Sequence, residues 1–300
     1  MRVVVTGGTG FIGRRLCARL GGKGHEVAVL SRGADGGRRL PGVPVLSWGP
    51  DIPGWEAAID GADAIVNLAG ESVSQRWTGE AKRRILESRL EAVALLAGAI
   101  RKAAKRPAVL VNASAVGFYG ARGDEELSES APPGDDFLAR TCVEWEGAAA
   151  GLEALGLRVV RVRIGVVLSA EGGALAKMIP VFRAFAGGPV GRGSQWMSWI
   201  HRDDLVELIG FALEKQAVSG ALNGTAPEPA RNREFAHALG KALQRPAIAP
   251  APAAAVRLLF GEMATLVLDG QRVMPEKALA LGFRFRFPHL EEALADAVRA

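Results

Sequence analysis

Short apolar runs alternate with longer segments of helical spacing throughout the first half of the chain. Runs such as RVVVT, EVAVL and AIVNL are typical of buried strands, and the pattern predicts strands at residues 2–6, 26–30, 44–46, 64–68, 108–112 and 157–164. Helices are predicted at residues 11–20, about 78–104 and about 136–155. Apolar strands separated by helices favour an α/β fold with a doubly wound parallel sheet covered on both faces.

The pattern loosens after Gly165, where glycine clusters and a proline- and alanine-rich stretch interrupt it. We expect one domain at residues 1–165, to which later segments can return, and a smaller C-terminal α/β lobe on the substrate side at residues 166–300. In the lobe the pattern predicts elements in this order: a helix at 204–214, a helix at 233–243, a short strand at 283–287 and a helix from His289 onward. Residues 245–252 are interpreted either as a linker or as an extended segment of a compact lobe.

Composition and charge exclude several classes of protein. Apolar residues make up 49% of the 300 residues and charged residues 23%, which predicts a folded protein with a real core. The formal net charge is +5, but basic and acidic residues are interleaved, as in KRRILESRLE, so no nucleic-acid partner is expected. An excess of positive charge can also steer anionic substrates towards the protein.

Cysteine usage and hydropathy bear on the compartment. Cys17 and Cys142 show no metal-ligand spacing, so we expect neither a disulfide framework nor a metal site. Arg257 and Glu262 interrupt the best apolar run before it reaches the roughly 18 residues of a membrane span. A strand is predicted directly after Met1, which leaves no room for a signal peptide. We therefore expect no membrane partner and a cytoplasmic location.

The segment Thr6–Gly13, TGGTGFIG, lies between the first predicted strand and the first predicted helix. Its glycines allow a tight turn, a close approach of the backbone to a pyrophosphate and close packing of helix on sheet, while the helix N-terminus attracts negative charge. A chance glycine-rich turn is the alternative, but the flanking strand and amphipathic helix favour a dinucleotide site. The residues predicted to bind the cofactor here are Gly7, Thr9, Gly10, Phe11, Ile12 and Gly13.

The end of the second predicted strand carries Ser31 and Arg32 where an NAD-binding protein usually offers an acidic side chain to the ribose. A carboxylate would repel a 2′-phosphate, whereas a hydroxyl and a guanidinium can bind one through charge-assisted hydrogen bonds. The sequence therefore favours NADP(H) over NAD(H). The alternative is that Arg32 is only a solvated loop residue.

Three motifs together, TGGTGFIG, NLAG at residues 67–70 and SAVGFYG at residues 114–120, resemble those of an extended short-chain dehydrogenase/reductase. Further segments, among them NLAGESVSQRWT, RIGVVLSAEGGAL, QWMSWIH and GQRVMPEKALALGFRF, resemble an atypical subgroup, the epimerase-family proteins of the YfcH type within the NAD-dependent epimerase/dehydratase superfamily. The resemblance spans essentially the whole chain. It implies a Rossmann domain that binds NADP(H), a C-terminal segment characteristic of the subgroup, and an undefined physiological substrate.

The resemblance also implies which side chains contact the cofactor. Besides Ser31 and Arg32, the residues that it implies to contact the cofactor are Ser47, Trp48, Glu71, Arg76 and Val166. Loops at the carboxyl ends of parallel strands form the crevice for a dinucleotide, and this placement also adds the NLAG residues Leu68, Ala69 and Gly70. A structural ion pair is the alternative for Glu71 and Arg76.

The chain departs from the family at the expected acid/base pair. Short-chain dehydrogenases usually carry a tyrosine, assisted by a lysine four residues later, on the helix after the fifth strand. Here that helix reads FLARTCVEWE, with Phe137 or Leu138 at the tyrosine position and Thr141 or Cys142 at the lysine position. The candidate catalytic residues that remain are Ser114, whose hydroxyl can polarise a carbonyl, and Tyr119. The alternative for Tyr119 is an ordinary packed loop aromatic.

The second lobe offers weaker candidates in the segment SQWMSWIH. His201 is suited to proton transfer near neutral pH, but at the start of a helix beside Asp203 it is more typical of a capping or packing residue. Trp196 and Trp199 are interpreted as either cleft-lining or core residues.

The sequence leaves two classes of function open. The first is an NADP(H)-dependent oxidoreductase or epimerase acting on a small molecule, such as a nucleotide sugar or a small carbonyl compound. The second is a module that binds NADP(H) and senses it without turnover, which the missing tyrosine and lysine favour. A monomer or a homodimer is expected in either case.

Overall fold

A computed structural model describes residues 1–32 and 40–299. In chain order the strands are β1 (Arg2–Thr6), β2 (Glu26–Ser31), β3 (Val45–Ser47), β4 (Ala64–Asn67), β5 (Val109–Ala115), β6 (Glu126–Leu127), β7 (Arg158–Ile164), β8 (Val166–Leu168), β9 (Trp196–Met197), β10 (Trp199–His201), β11 (Gly220–Gly224), β12 (Ala230–Arg231) and β13 (Arg272–Val273). The helices are α1 (Phe11–Gly22), α2 (Gly79–Lys102), α3 (Phe137–Ala150), α4 (Gly173–Arg183), α5 (Arg202–Glu214), α6 (Asn232–Leu243), α7 (Ala253–Phe260), α8 (Thr265–Leu268), α9 (Glu276–Ala280) and α10 (Leu290–Ala297).

The centre of the molecule is a seven-stranded sheet in the order β11-β7-β5-β4-β1-β2-β3, and every pair of neighbouring strands in it is parallel. The predicted doubly wound α/β fold is therefore confirmed. The strand order reverses beside β1, which is where sheets of this type form a ligand crevice.

Each face of the sheet has its own core because successive side chains of a strand point to opposite faces. Val3 and Val5 pack with α1 and α5, whereas Val4 packs with α2 and α3. Helices α1 and α5 lie side by side and are joined at their exposed rim by Arg15, which donates twice to Asp203 at 2.7 and 2.6 Å.

Segments beyond residue 165 take part in the central sheet. Strand β11 pairs with β7 along the whole of its length, from Gly220 opposite Val160 to Gly224 opposite Ile164. Arg158 at the start of β7 donates to the carbonyl oxygens of Ala212 and Val218, which fixes the connection between α5 and β11.

The remaining elements form a smaller lobe at the carboxyl end of the sheet. Its core is built by α4, α6 and α10 around Trp199 and Phe235, with the short strand pairs β8–β10 and β9–β12 beside them. Residues 245–252 are extended, since Ala251 donates to Pro189 and accepts from Gly191, so the second alternative for this segment is the one observed. No helix among the described residues is long and apolar enough to cross a membrane.

The region after residue 165 differs from the sequence prediction at several elements, and two of them have a clear physical reason. The predicted strand at residues 283–287 is wrong, because the N–H groups of Arg286 and Phe287 donate to the Asp204 carboxylate at 2.8 and 2.9 Å instead of to another strand. The alternating phenylalanines fill two different cores, Phe283 beside the sheet and Phe287 in the lobe. Helix α4 was not predicted, since its Pro180 and the preceding glycines are helix breakers.

Candidate functional site

The segment Gly7–Gly13 forms the turn between β1 and α1. Gly7 has φ +68°, and a Cβ there would lie 2.8 Å from the carbonyl carbon and oxygen of Leu68, so this position requires glycine. A Cβ on Gly13 would collide with the backbone of Gly7 and Gly8, so only glycine lets α1 pack this closely on the turn.

Gly10 differs from its neighbours because it is exposed, and a Cβ there would meet only the Gly7 carbonyl oxygen, at 3.3 Å. It is the N-cap of α1, with no side chain capping the first turn. The N–H groups of that turn, in Phe11, Ile12 and Gly13, have no partner among residues 1–32 and 40–299 and are therefore available to an anion, which the helix dipole favours. The residues present fit a pyrophosphate.

The end of β2 lies next to this turn. The Thr9 and Ser31 hydroxyl oxygens are 3.3 Å apart, and Arg32 is exposed directly after the strand. On the neighbouring strand, the buried Ser47 hydroxyl has no hydrogen-bond partner in the described part of the chain. The structure thus brings Thr9, Ser31, Arg32 and Ser47 to one end of the sheet.

Trp48 and Val166 are less directly placed for a cofactor. The Trp48 ring is buried against Trp55, with ring centroids 5.5 Å apart at nearly right angles, so its side chain belongs to the core. Val166 is half-buried in β8, at the end of β7, and pairs with Trp199 of β10. The cofactor contacts predicted for Trp48 and Val166 stay predictions, because either residue can still reach a ligand through its backbone.

A buried polar ladder fixes the strand ends behind the crevice. The Thr6 hydroxyl donates to Asn67 Oδ1 at 2.5 Å, and Asn67 Nδ2 donates to Asn112 Oδ1 at 2.6 Å, so the ladder crosses β1, β4 and β5. Asn67 Oδ1 also accepts from the Ala69 N–H at 3.3 Å. The ladder holds the start of the loop that contains Leu68, Ala69 and Gly70.

Glu71 and Arg76 do not form the ion pair considered as the alternative to cofactor binding: none joins them in the part of the chain that is described. The Glu71 carboxylate accepts from Gln75 Nε2 at 3.2 Å, and Arg76 is exposed. Glu71 is held through its backbone, since its N–H donates to Ser88 Oγ at 2.9 Å and its carbonyl oxygen accepts from Arg89 Nη1 at 3.0 Å.

Ser114 lies at the end of β5, as predicted, but its hydroxyl is already engaged. It donates to Glu146 Oε1 at 2.7 Å. The Glu146 carboxylate also accepts from Arg163 Nε and Nη2 at 2.8 and 2.9 Å, and both side chains of this pair are almost fully buried. With its only proton directed to Glu146, Ser114 offers lone pairs rather than a donor.

Tyr119 has no exposed surface. Its hydroxyl donates to Asn223 Oδ1 at 2.6 Å and accepts from Arg163 Nη1 at 2.9 Å, while the Arg163 guanidinium stacks 3.4 Å from the Phe118 ring centroid. Burial raises the pKa of Tyr119 above its usual value of 10, despite the opposing influence of Arg163. These surroundings favour the interpretation of Tyr119 as a packed aromatic residue and not as a proton donor.

Helix α3 carries no acid/base pair at the expected positions. Phe137 packs against Trp77 with centroids 5.1 Å apart, and the Thr141 hydroxyl donates to the Phe137 carbonyl oxygen at 2.8 Å. Cys142 is a buried free thiol, and burial raises its pKa to about 11, so it is protonated at neutral pH. The functional groups that sequence reasoning missed here are Glu146 and Arg163; arginines alternating with valines in RVVRVRI were the available signal.

The residues singled out in the second lobe have structural partners. His201 is the N-cap of α5, where its buried Nδ1 accepts from the Asp203 N–H at 3.2 Å, and its Nε2 lies 3.3 Å from Asp296. The interpretation of His201 as a capping residue is confirmed. Trp199 is buried and donates to the Glu228 carbonyl oxygen at 2.9 Å, which makes it a core residue.

Trp196 lines a cleft instead. It faces a cavity of about 680 Å³ between the loop at residues 121–124 and the second lobe. Its indole N–H donates to Asp124 Oδ1 at 2.7 Å, and the Arg231 guanidinium lies 4.3 Å from its ring centroid. A cavity of this volume is within the range that accommodates small-molecule ligands.

The fold and the glycine turn define an α/β protein of the Rossmann type. The chain belongs to the NAD dependent epimerase/dehydratase family, whose model matches residues 3–223, and a domain of unknown function, DUF1731, matches residues 251–297. The epimerase family protein SDR39U1 homolog of Arabidopsis thaliana is 45% identical over 302 residues, which cover 98% of this chain and 86% of that protein.

Solved structures agree with this assignment. The crystal structure of human epimerase family protein SDR39U1 with NADPH is 41% identical, with a TM-score of 0.89 and coverage of 100% of this chain and 99% of that chain. The nucleoside-diphosphate sugar epimerase from Corynebacterium glutamicum is 36% identical, with a TM-score of 0.78; the match covers 99% of this chain and 57% of that one.

Proposed function

We propose that the protein binds NADP(H) in the crevice between β1, β2, β4 and β5. The exposed Gly10 at the uncapped N-terminus of α1 carries this proposal, because it leaves the first-turn N–H groups open to a pyrophosphate. Ser31 and Arg32 would bind the 2′-phosphate. The NADPH in the crystal structure of the human relative supports the choice of cofactor.

Titration of the protein with NADPH and NADH tests this proposal. A charge-assisted contact contributes about 1.5–3 kcal/mol, so NADPH should bind at least about tenfold more tightly than NADH. Arg32→Asp should narrow or reverse that preference, whereas Arg76→Gln, which also removes an exposed arginine of the crevice, should leave it unchanged. Equal affinities of the native protein for the two cofactors would contradict the assignment.

We further propose that the protein is an oxidoreductase-like member of the YfcH-type subgroup that acts on a small molecule. Nicotinamide supplies hydride transfer when it is bound. Ser114 would orient the reacting group by accepting a hydrogen bond, since its own proton goes to Glu146. A nucleotide sugar or a small carbonyl compound is the proposed substrate, and the printed name of the Corynebacterium relative supports the former.

The second candidate is a module that senses NADP(H) without turnover. The observation that favours it is the absence of an accessible proton donor among Ser114, Tyr119 and Cys142, whose protons are engaged or buried. Without such a group, a rate factor of roughly 10²–10⁴ is missing. A panel of sugar nucleotides, ketones and aldehydes, followed at the nicotinamide absorbance, separates the candidates, since turnover of any member excludes the sensing module.

The cytoplasmic location, the absence of nucleic-acid and membrane partners, and the monomeric or homodimeric state remain predictions.

A further inference from the structure

A second cation borders the crevice at the opposite end from Arg32. Arg89 extends from α2 to the loop after β4, where its Nη1 donates to the carbonyl oxygens of Ile85 and Glu71 at 2.7 and 3.0 Å. Its guanidinium lies 4.9 Å from the ring centroid of Trp145 on α3. These contacts hold the group between α2, α3 and the NLAG loop.

The guanidinium has no salt-bridge partner in the described part of the chain, although the charge of Glu71 acts on it. Within residues 1–32 and 40–299, Arg89 makes no ion pair, and neither Nε nor Nη2 has a hydrogen-bond partner. Burial lowers the pKa of Arg89, although the group stays protonated at neutral pH. Nη1 uses both of its hydrogens on carbonyl oxygens. The three other N–H groups, one on Nε and two on Nη2, are open to a ligand, and a hydrogen bond to them would offset the cost of partly burying the cation.

Gly70 opens the way to this group. It is exposed, and a Cβ on it would lie 3.1 Å from Arg89 Cζ and 3.4 Å from Arg89 Nε. Glycine therefore leaves the guanidinium accessible from the crevice, where any other residue would press against it.

The position in the sheet indicates which part of a dinucleotide lies here. The end of β2 faces the adenosine ribose in this type of crevice, so the other half of the molecule extends across β4 and β5. Arg89 lies at the loop after β4 and beside α3, the helix that follows β5. It is also close enough to Cys142, one of the two positions where the lysine is expected, for that group to influence its pKa.

We propose that Arg89 is a ligand-binding residue for the nicotinamide-ribosyl half of the cofactor, to whose oxygen atoms its free N–H groups donate. The inference rests on the proposed NADP(H) binding. It gives the crevice a cation at each end, Arg32 at the adenosine half and Arg89 at the nicotinamide half.

Two probes distinguish the halves: NADPH contains both, and 2′,5′-ADP contains only the adenosine half. Calorimetry with Arg89→Gln should show NADPH binding weakened at least about tenfold, as expected for loss of a charge-assisted contact, and 2′,5′-ADP binding within about twofold of the native protein. Arg84→Gln is the matched control, because Arg84 lies on the same helix but is exposed and paired with Glu80 at 2.8 Å. It should change neither affinity.

Thermal melting of each variant checks that the loop is still folded. If Arg89→Gln does not fold, Gly70→Ala gives the same test, since its methyl group displaces the guanidinium without removing it. Unchanged NADPH binding, or an equal loss for both probes, would overturn the inference and leave Arg89 as an anchor of the loop. Failure of the native protein to bind NADPH would instead overturn the proposed function.

Discussion

Glu146 and Arg163 form a two-point ion pair in the interior, and Ser114 and Tyr119 are each bonded to one member of it. The two residues that the sequence offered for catalysis are thus held by the same pair. Removing one partner leaves the other as a buried charge without compensation, which is far more costly than losing an exposed pair.

Glu146→Gln should therefore lower the free energy of unfolding by about 3–5 kcal/mol, measured by denaturant titration. Glu80→Gln removes the exposed pair with Arg84 and should change it by no more than ~0.5 kcal/mol. Similar values for the two variants would show that the interior pair contributes no more than a surface contact.

Two glycines of the same turn should respond differently to substitution. Gly10→Val should abolish NADPH binding and leave the melting temperature nearly unchanged, because its side chain extends into the space in front of α1. Gly13→Ala should lower stability by about 1–3 kcal/mol, since its methyl group collides with the backbone of Gly7 and Gly8. Retained binding in a folded Gly10→Val protein would exclude this turn as the phosphate site.

Protonation of His201 should destabilise the protein. Burial lowers the pKa of His201 below its usual 6.5, so the unfolded chain takes up a proton at higher pH than the folded one. Stability is then lost as the pH falls below about 6.5, and protonated Nδ1 can no longer accept from the Asp203 N–H.

His201→Gln should reduce this slope in unfolding experiments between pH 7 and 5. His289→Gln is a control in which the pH dependence has the opposite sign. Glu228 raises the pKa of His289. The contribution of His289 to stability is therefore present at low pH and is lost as the pH rises. A slope unaffected by His201→Gln would assign the acid sensitivity to another group.

Tyr119→Phe should act on stability alone. It leaves Asn223 Oδ1 without its donor and Arg163 Nη1 without one of its acceptors, which should cost about 1–3 kcal/mol. NADPH affinity should stay the same. If a substrate is found, a loss of kcat in this variant without loss of stability would restore Tyr119 as a proton donor.

Ser114→Ala should, in that case, lower kcat far more than cofactor affinity, because Ser114 is proposed to contact the reacting group rather than the dinucleotide. Steady-state kinetics together with NADPH titration provide the comparison. Equal kcat values in the native protein and the variant would move the search to Glu71, since His201 caps α5.

The sequence was most informative where structure depends on local pattern. The bounds of β1 were predicted residue for residue, and α2 and α3 within a few residues, because period and turn residues determine these elements locally. The alternation FRFRF at residues 283–287 wrongly predicted a strand, because its phenylalanines pack into two different cores and the segment does not pair in a sheet.

The site was predictable in its cofactor half and not in its reacting half. Gly7 and Gly13 perform their roles within one turn, so a motif is enough to identify them. Glu146 and Arg163 come from α3 and β7, and only the packing of those elements shows that they meet. Arg89 likewise reaches Gly70 only because α2 folds back along the loop.

Strand β11 completes the sheet from a part of the chain made much later than its neighbour β7. During synthesis, the edge of β7 therefore stays open until residues 220–224 have emerged. The hydrogen bond from the Tyr119 hydroxyl to Asn223 Oδ1 also cannot form before then. Pairing of such distant segments slows folding, and an open strand edge can pair with another chain. We therefore expect the first 165 residues to be more prone to aggregation until β11 has been translated.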